Sequence, residues 1–246
     1  MNKLNKDIIS ENLPKNRVNI DVYEEIDSTN DEAKRINLTN EFHLIVSESQ
    51  SKGRGRQGKI WSSPNSGNIY MTLFTDKDLS FAPISLITGL ICRKSISNLN
   101  KKIDIKLKWP NDILFQNKKV GGILVEKENI NSSLRTIIGI GINLDIQKKE
   151  SWWGDLSMFN LKKQRNELIS EIISNLIEFV DKKPSNWIDN WRKNCMHIDK
   201  EIEIYSNGKK ISAIFKDINL EGHAIIKTDK GNEVFKSGQI NLKGIY

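Results

Sequence analysis

The sequence predicts an α+β fold: a mixed or antiparallel sheet packed with helices, joined to a small C-terminal β-barrel. Three observations carry this. Short apolar runs separated by turn residues crowd between Ile103 and Leu144, and connections that short make antiparallel neighbours. Leu168, Ile169, Ile172, Ile173, Leu176, Ile177 and Val180 recur at helical spacing and mark a strongly amphipathic helix. From about residue 198 the pattern switches: Ile202 and Ile204 alternate with charges, and Asn207-Gly208, Glu221-Gly222 and Lys230-Gly231 signal turns. A module of that size needs the surface of the larger unit to be stable.

The elements follow in order. Residues 1–17 read as a short helix or arm, and Val18 to Ile26 as a strand. Ser28-Thr29-Asn30-Asp31-Glu32 starts a helix, because Ser28–Asp31 and Thr29–Glu32 both have the spacing of a capping box. Phe42 to Ser47 and Ile69 to Phe74 are β-prone. Pro83 suits a helix start, and Ile84, Ile87, Leu90 and Ile91 continue it. Ile103, Ile105, Leu107 and Trp109 alternate with Asp104, Lys106 and Lys108, a strand that Pro110-Asn111-Asp112 ends. Ile113 to Phe115, Ile123 to Glu126 and Leu134 to Leu144 complete a meander with turns at Asn117-Lys118 and Asn131-Ser132. Trp187, Ile188 and Trp191 belong to a second C-terminal helix.

Among 246 residues, 37% are hydrophobic and 28% charged, a globular balance. No apolar run approaches the roughly 18 residues that span a bilayer, so no membrane association is expected. The polar N-terminus lacks the apolar core of a secretory signal, and Cys92 and Cys195 suggest no disulfide framework. These features predict a cytoplasmic protein. The formal charge of +7 comes from scattered lysines that read as solvated faces, and nucleic-acid binding is not expected.

Gly53-Arg54-Gly55-Arg56-Gln57-Gly58 matches G-x-G-x-x-G. A dinucleotide fold would open a helix on the last glycine, whereas Lys59 to Gly67 hold turn formers and no helical stripe. No H-R-D, D-F-G or G-x-x-x-x-G-K-[ST] segment supports a kinase or P-loop reading. Arginines between glycines instead predict an anion-binding loop, with forked permanent charges beside an approachable backbone. Ordering such a loop costs entropy, so it should be mobile until an anion neutralises the arginines. In Ile137 to Asn143, Ile138, Ile140 and Ile142 form one face, and Gly139, Gly141 and Asn143 the other. Glycine in a strand marks either a bulge or a close approach to the backbone. Periodicity alone places Lys108 on a solvent-exposed face.

Four segments then fall in order: Asp27-Ser28-Thr29-Asn30; Gln50 with the glycine loop and Trp61; Lys108-Trp109-Pro110-Asn111-Asp112; and Gly121-Gly122-Ile123-Leu124-Val125-Glu126 with Gly139-Ile140-Gly141-Ile142-Asn143. Together they resemble the biotin protein ligases, or biotin–[acetyl-CoA-carboxylase] ligases. The resemblance is strong over about residues 22–145 and looser to the C-terminus. It implies a class II synthetase-like catalytic domain over residues 1–197, binding biotin and ATP, and an SH3-like barrel over 198–246.

The activity implied has two steps. Biotin's carboxylate attacks the α-phosphate of ATP, supplied with Mg²⁺, to give biotinyl-5′-AMP. A lysine of a biotin carboxyl carrier protein then takes the acyl group. The resemblance assigns biotin to Ser28, Thr29, Asn30, Gln50, Arg54, Gly55, Arg56, Lys108, Gly122, Gly139 and Gly141. It assigns the nucleotide to Arg54, Arg56, Trp61, Lys108, Asn111, Asn143 and Trp153. The catalytic roles fall to Lys108 and Arg56, with Lys108 an electrostatic clamp. Asp112 would orient Mg²⁺ or Lys108. Trp61 would pack on the closed loop or ligand, or in the core, and the Trp152-Trp153 doublet leaves open which ring meets adenine.

Lys59 departs from the family, standing where an arginine often follows the loop's last glycine. The 27 residues before Ser28 are too few for the winged helix-turn-helix of some relatives, so a monofunctional form without operator binding is expected. His43, His197, His223 and the cysteines lack ligand spacing, so no protein metal site is expected. A lipoate ligase is the enzyme alternative, and a nucleic-acid-binding module the non-enzyme one. A homodimer through an exposed edge strand stays open.

Overall fold

The computed structural model describes residues 3–147, 150–206 and 209–243. Helices are α1 (Lys6–Ser10), α2 (Thr29–Arg35), α3 (Ile84–Leu99), α4 (Arg165–Lys182) and α5 (Trp187–Asn194). Strands are β1 (Val18–Tyr23), β2 (Phe42–Ser47), β3 (Ile69–Thr75), β4 (Lys106–Lys108), β5 (Asp112–Phe115), β6 (Lys118–Ile130), β7 (Ser133–Ile142), β8 (Lys200–Ser206), β9 (Lys209–Ile218), β10 (Ala224–Thr228), β11 (Gly231–Phe235) and β12 (Asn241–Lys243). No helix among the described residues is long and apolar enough to cross a membrane.

The first seven strands form one mixed sheet in the order β1-β2-β3-β7-β6-β5-β4. Only β1 and β2 run parallel, and the short turns after Asp112 make the predicted antiparallel meander. Asn131 and Ser132 both take positive φ, 50° and 67°, which matches the twist a two-residue hairpin needs. Alternation along β7 divides its faces as the pattern predicts. Ile138, Ile140 and Ile142 join the main core under α3 and α4, and Ile137 joins Ala33, Ile45 and Phe74 beneath α2. The buried Arg165 donates two 2.8 Å bonds to Glu48, fixing α4 to the strand that leads into the glycine loop. A buried pair bonded through both Nη atoms holds two elements in one register.

Three boundaries differ from expectation. The predicted strand Ile103–Trp109 pairs only as β4, because Ile103 and Ile105 are buried outside the ladder. β1 stops at Tyr23, short of Ile26, and Ile26 instead bridges Gln50. β6 runs from Lys118 to Ile130, well beyond the apolar run, because charged residues can pair in a ladder whose face is half-exposed.

Beyond α5, β8 to β12 form a second, antiparallel sheet in the order β11-β10-β9-β8-β12. The predicted Asn207-Gly208 turn lies outside the described residues, although β8 and β9 on either side pair antiparallel. This sheet docks on β4. Met196 N–H donates to Leu107 O at 2.9 Å, and the buried Trp109 indole donates to Gly222 O at 2.9 Å.

Candidate functional site

A cavity of about 920 Å³ opens between the large sheet, the glycine loop and the C-terminal sheet. Every residue that the sequence proposed for ligand binding or catalysis lines it: Ser28, Thr29, Asn30, Gln50, Arg54, Gly55, Arg56, Trp61, Lys108, Asn111, Gly122, Gly139, Gly141, Asn143 and Trp153.

One end is built from the start of α2. Ser28 caps the helix through Asp31 N–H, which turns the buried Thr29 and Asn30 toward β3 and β7. Thr29 donates from its backbone N–H (2.9 Å) and hydroxyl (3.1 Å) to Gln50 Oε1. Gln50 Nε2 donates to Ser63 Oγ at 2.8 Å. Thr72 Oγ1 lies 2.8 Å from Thr29 Oγ1 and 2.7 Å from Asn30 Oδ1. Asn30 Nδ2 donates to Glu126 at 2.8 Å. The network is mostly buried, tied to β3 through Thr72 and to β6 through Glu126, where it ends on a carboxylate that Arg54 and Lys34 neutralise.

The glycine face of β7 serves this packing. A Cβ on Gly139 would stand 2.2 Å from Asn30 Oδ1, and one on Gly141 2.6 Å from the Trp61 ring. The close approach that the two glycines predicted is thus made by Asn30 and Trp61. Trp61 Nε1 is buried with no hydrogen-bond partner, as expected of a packing role.

The other end is cationic. Lys108 is only 4% exposed, which overturns its placement on a solvent-facing edge. Burial pushes its ammonium down to about 8; Asp112 opposes this, and Lys119 and Lys59 add to it. Lys119, which the sequence reading left unassigned, ion-pairs with Asp112 at 2.7 Å. Its ammonium also sits 5.4 Å from the Trp61 ring centroid. Arg56 donates to Asn111 Oδ1 at 3.0 Å and to Ser237 Oγ at 2.7 Å. Burial disfavours its charge, which Asp112 partly offsets. Asn111 in turn donates to Ile123 O at 2.9 Å, so the turn after β4 is fixed to β6.

The loop itself is a folded hairpin. Gly55 N–H donates to Lys59 O at 2.7 Å, and Trp61 N–H to Gly53 O at 2.9 Å. No helix opens on Gly58, so the dinucleotide reading fails in structure as in sequence. Arg54 faces the protein's own acids: Asp31 at 2.5 Å and Glu126 at 2.8 Å. Burial pulls Arg54 down, but Glu126 and Asp31 outweigh it and hold it above its ordinary value. Burial alone would raise Glu126, yet bonds from Asn30, Lys34 and Arg54 keep it below the usual carboxylate range.

Asn143 points its amide at Gly154 O, 3.1 Å away, and so anchors the segment that carries the tryptophan doublet. Trp152 is 40% exposed, Trp153 is partly buried, and the rings meet edge-on at 5.5 Å. The cavity also takes Tyr205, Ile240 and Leu242 from the C-terminal sheet, which sequence reasoning missed. Nothing in a periodic pattern shows which distant strand covers a site. Lys119 did carry a signal, two residues before Gly121-Gly122 on a strand paired with the glycine face of β7.

A polar recess beside a cluster of half-buried and buried cations, on a mixed sheet, suits a site for anionic ligands. The chain belongs to the biotin/lipoate A/B protein ligase family, whose model matches residues 22–143. Its relatives within that family are biotin protein ligases. It is 28% identical over 239 residues to the bifunctional ligase/repressor BirA of Salmonella typhimurium, spanning 92% of this chain and 74% of that protein. Against the biotin–[acetyl-CoA-carboxylase] ligase of Paracoccus denitrificans, identity is 33% over 125 residues, or 48% of this chain and 51% of that one. The biotin protein ligase of Aquifex aeolicus, solved with biotin and ATP, superposes with a TM-score of 0.76 at 26% identity, covering 92% and 98% of the two chains.

Proposed function

We propose that this chain is an ATP-dependent ligase that activates biotin as biotinyl-5′-AMP and transfers it to a lysine of a biotin carboxyl carrier domain. The observation that carries the reading is the juxtaposition, in one cavity, of the Thr29–Asn30–Gln50 network and the Lys108–Lys119–Arg56 cations. A ureido ring needs paired donors and acceptors, which the first group supplies. A carboxylate approaching a polyphosphate needs positive charge already in place, which the second supplies.

In the first step a carboxylate oxygen bonds to the α-phosphorus, the bond to the β-phosphate oxygen breaks, and pyrophosphate leaves. Lys108 and Arg56 meet the charge that grows on the phosphoryl oxygens, and Lys119 adds a second ammonium. In the second step the carrier amine attacks the acyl carbon and AMP leaves. Trp61 and the folded loop keep water from the mixed anhydride. Mg²⁺ enters as part of the nucleotide substrate. Bound with the nucleotide, it would offset part of the phosphate charge. Asp112, paired to Lys119, acts on Lys108.

Residues 1–197 are the catalytic domain in this reading, and 198–246 an SH3-like barrel that closes the cavity through Tyr205, Ile240 and Leu242. ATP–pyrophosphate exchange measured with biotin or with lipoate tests the proposal. Exchange that depends on biotin is expected; exchange with lipoate alone would overturn it.

A further inference from the structure

His197 is fully buried between the two sheets. Its Nε2 accepts the backbone N–H of Trp109 at 3.0 Å, the residue next to Lys108. β4 ends at Lys108, so no ladder acceptor awaits that N–H, and a buried N–H requires one. The imidazole takes the place of a strand. The surrounding joints are equally firm. Leu107 bridges Cys195 in parallel, and Asn111 N–H donates back to Lys108 O at 3.1 Å. The His197 ring stands edge-on to Phe215 at 4.7 Å, and Phe215 also packs on Trp109 at 6.4 Å. Gly222, whose carbonyl holds the Trp109 indole, takes φ of +77°, and a Cβ there would come within 2.5 Å of Pro83.

We infer that His197 is a positioning residue for adenylate formation: by accepting the Trp109 N–H, its neutral imidazole fixes the end of β4 and aims the Lys108 ammonium into the cavity. The inference rests on the reading of Lys108 as the charge that meets the carboxylate and α-phosphate.

The acceptor exists only while the ring is neutral with its proton on Nδ1, an atom that has no partner here. Burial, then Lys108, then Lys200, hold the ring down to about 3. The charges on neighbouring elements agree. Lys108 on β4 and Lys200 on β8 oppose protonation, Asp217 on β9 is engaged by Arg192, and Asp199 by Lys216. A protonated ring would lose the Trp109 bond and add a cation beside Lys108.

The test compares His197→Gln with His197→Leu in the full chain. Gln offers an amide oxygen near the position of Nε2, whereas Leu fills much of the space and accepts nothing. In biotin-dependent pyrophosphate exchange, His197→Leu is expected to lower kcat by about tenfold to a hundredfold with the KM for biotin unchanged, and His197→Gln to recover most of it. In the unaltered protein, ¹⁵N NMR is expected to show the Nδ1–H tautomer and no titration near the ordinary histidine value of about 6.5. A folded His197→Leu with full kcat, equal loss in both variants, or a ring that titrates near that value would overturn the inference. Should His197→Leu fail to fold, the tautomer and titration decide. Lys108→Ala, run in parallel, separates the two claims. Its retention of activity removes the role of Lys108, whereas its inactivity beside a fully active His197→Leu removes only that of His197.

Discussion

The two ends of the cavity are made differently. Around Thr29, Asn30, Gln50 and Thr72, each polar group has found a protein partner, and hydrogen bonds among them and to the paired Glu126 carboxylate hold the recess in shape. Around Lys108 and Arg56, burial works against the charges, and Asp112 is shared with Lys119. The first end is organised before any ligand arrives. The second carries an electrostatic cost that an incoming anion relieves, so binding energy there is realised where negative charge develops. In the proposed function, recognition and activation use opposite means within one cavity: satisfied polar groups at one end, and the buried Lys108 with the half-buried Arg56 and Lys119 at the other.

Perturbing each end in turn should give effects of different size and kind. The largest is expected from Lys108→Ala. Biotin-dependent pyrophosphate exchange should fall by about a hundredfold to a thousandfold, as for loss of one transition-state contact, while the fold is kept; near-normal turnover would break the assignment. Gly139→Ala strikes the hydrogen-bonded end, where the added Cβ meets Asn30 Oδ1 at 2.2 Å. Overpacking of about 1–3 kcal/mol should appear in the biotin dissociation constant by calorimetry, with little change in nucleotide affinity.

A pH profile separates the ends without mutation. Burial sets Lys108 at about 8, and the reaction needs the ammonium, so kcat/KM should be full below that value and fall as pH rises through it. Bound anions favour the ammonium, so the limb in kcat should lie at higher pH than the limb in kcat/KM. The conformational effect has the opposite sign. Between about 8 and the ordinary lysine value of 10.5, the unfolded chain holds a proton that the folded chain has lost, so Lys108 makes stability rise with pH there. The smallest effect belongs to Thr72→Val. Removing the hydroxyl that joins Thr29 to Asn30 should weaken biotin binding by about 1 kcal/mol, the net worth of one hydrogen bond, and leave the pH limb in place.

Much of this was legible in the sequence, for physical reasons. Phe42–Ser47 and the two faces of β7 were readable because a period of two has one structural meaning once both faces are packed. The residues that the resemblance singled out line one cavity, although most lie far apart in the chain. The burial of Lys108 was not legible. Alternation tells which face of a strand a side chain occupies, but not that the glycine loop and a second sheet roof that face. The glycine face of β7 shows the converse limit: a close approach was predicted correctly, but the partners proved to be Asn30 and Trp61. The loop arginines divide in the same way. Their charge was evident, yet Arg54 found Asp31 and Glu126 from other elements, while Arg56 found Asn111 and Ser237.

The bond between Arg56 and Ser237 spans 181 positions of the chain, and that between Trp109 and His197 spans 88, whereas the β4–β7 meander closes over short turns. Local pairings form quickly, and distant ones wait on loop closure. Both tethers come from residues beyond the large sheet, so that sheet alone does not fix its cationic end. In the proposed function, the geometry at Lys108 and Arg56 depends on contacts that the large sheet does not itself supply.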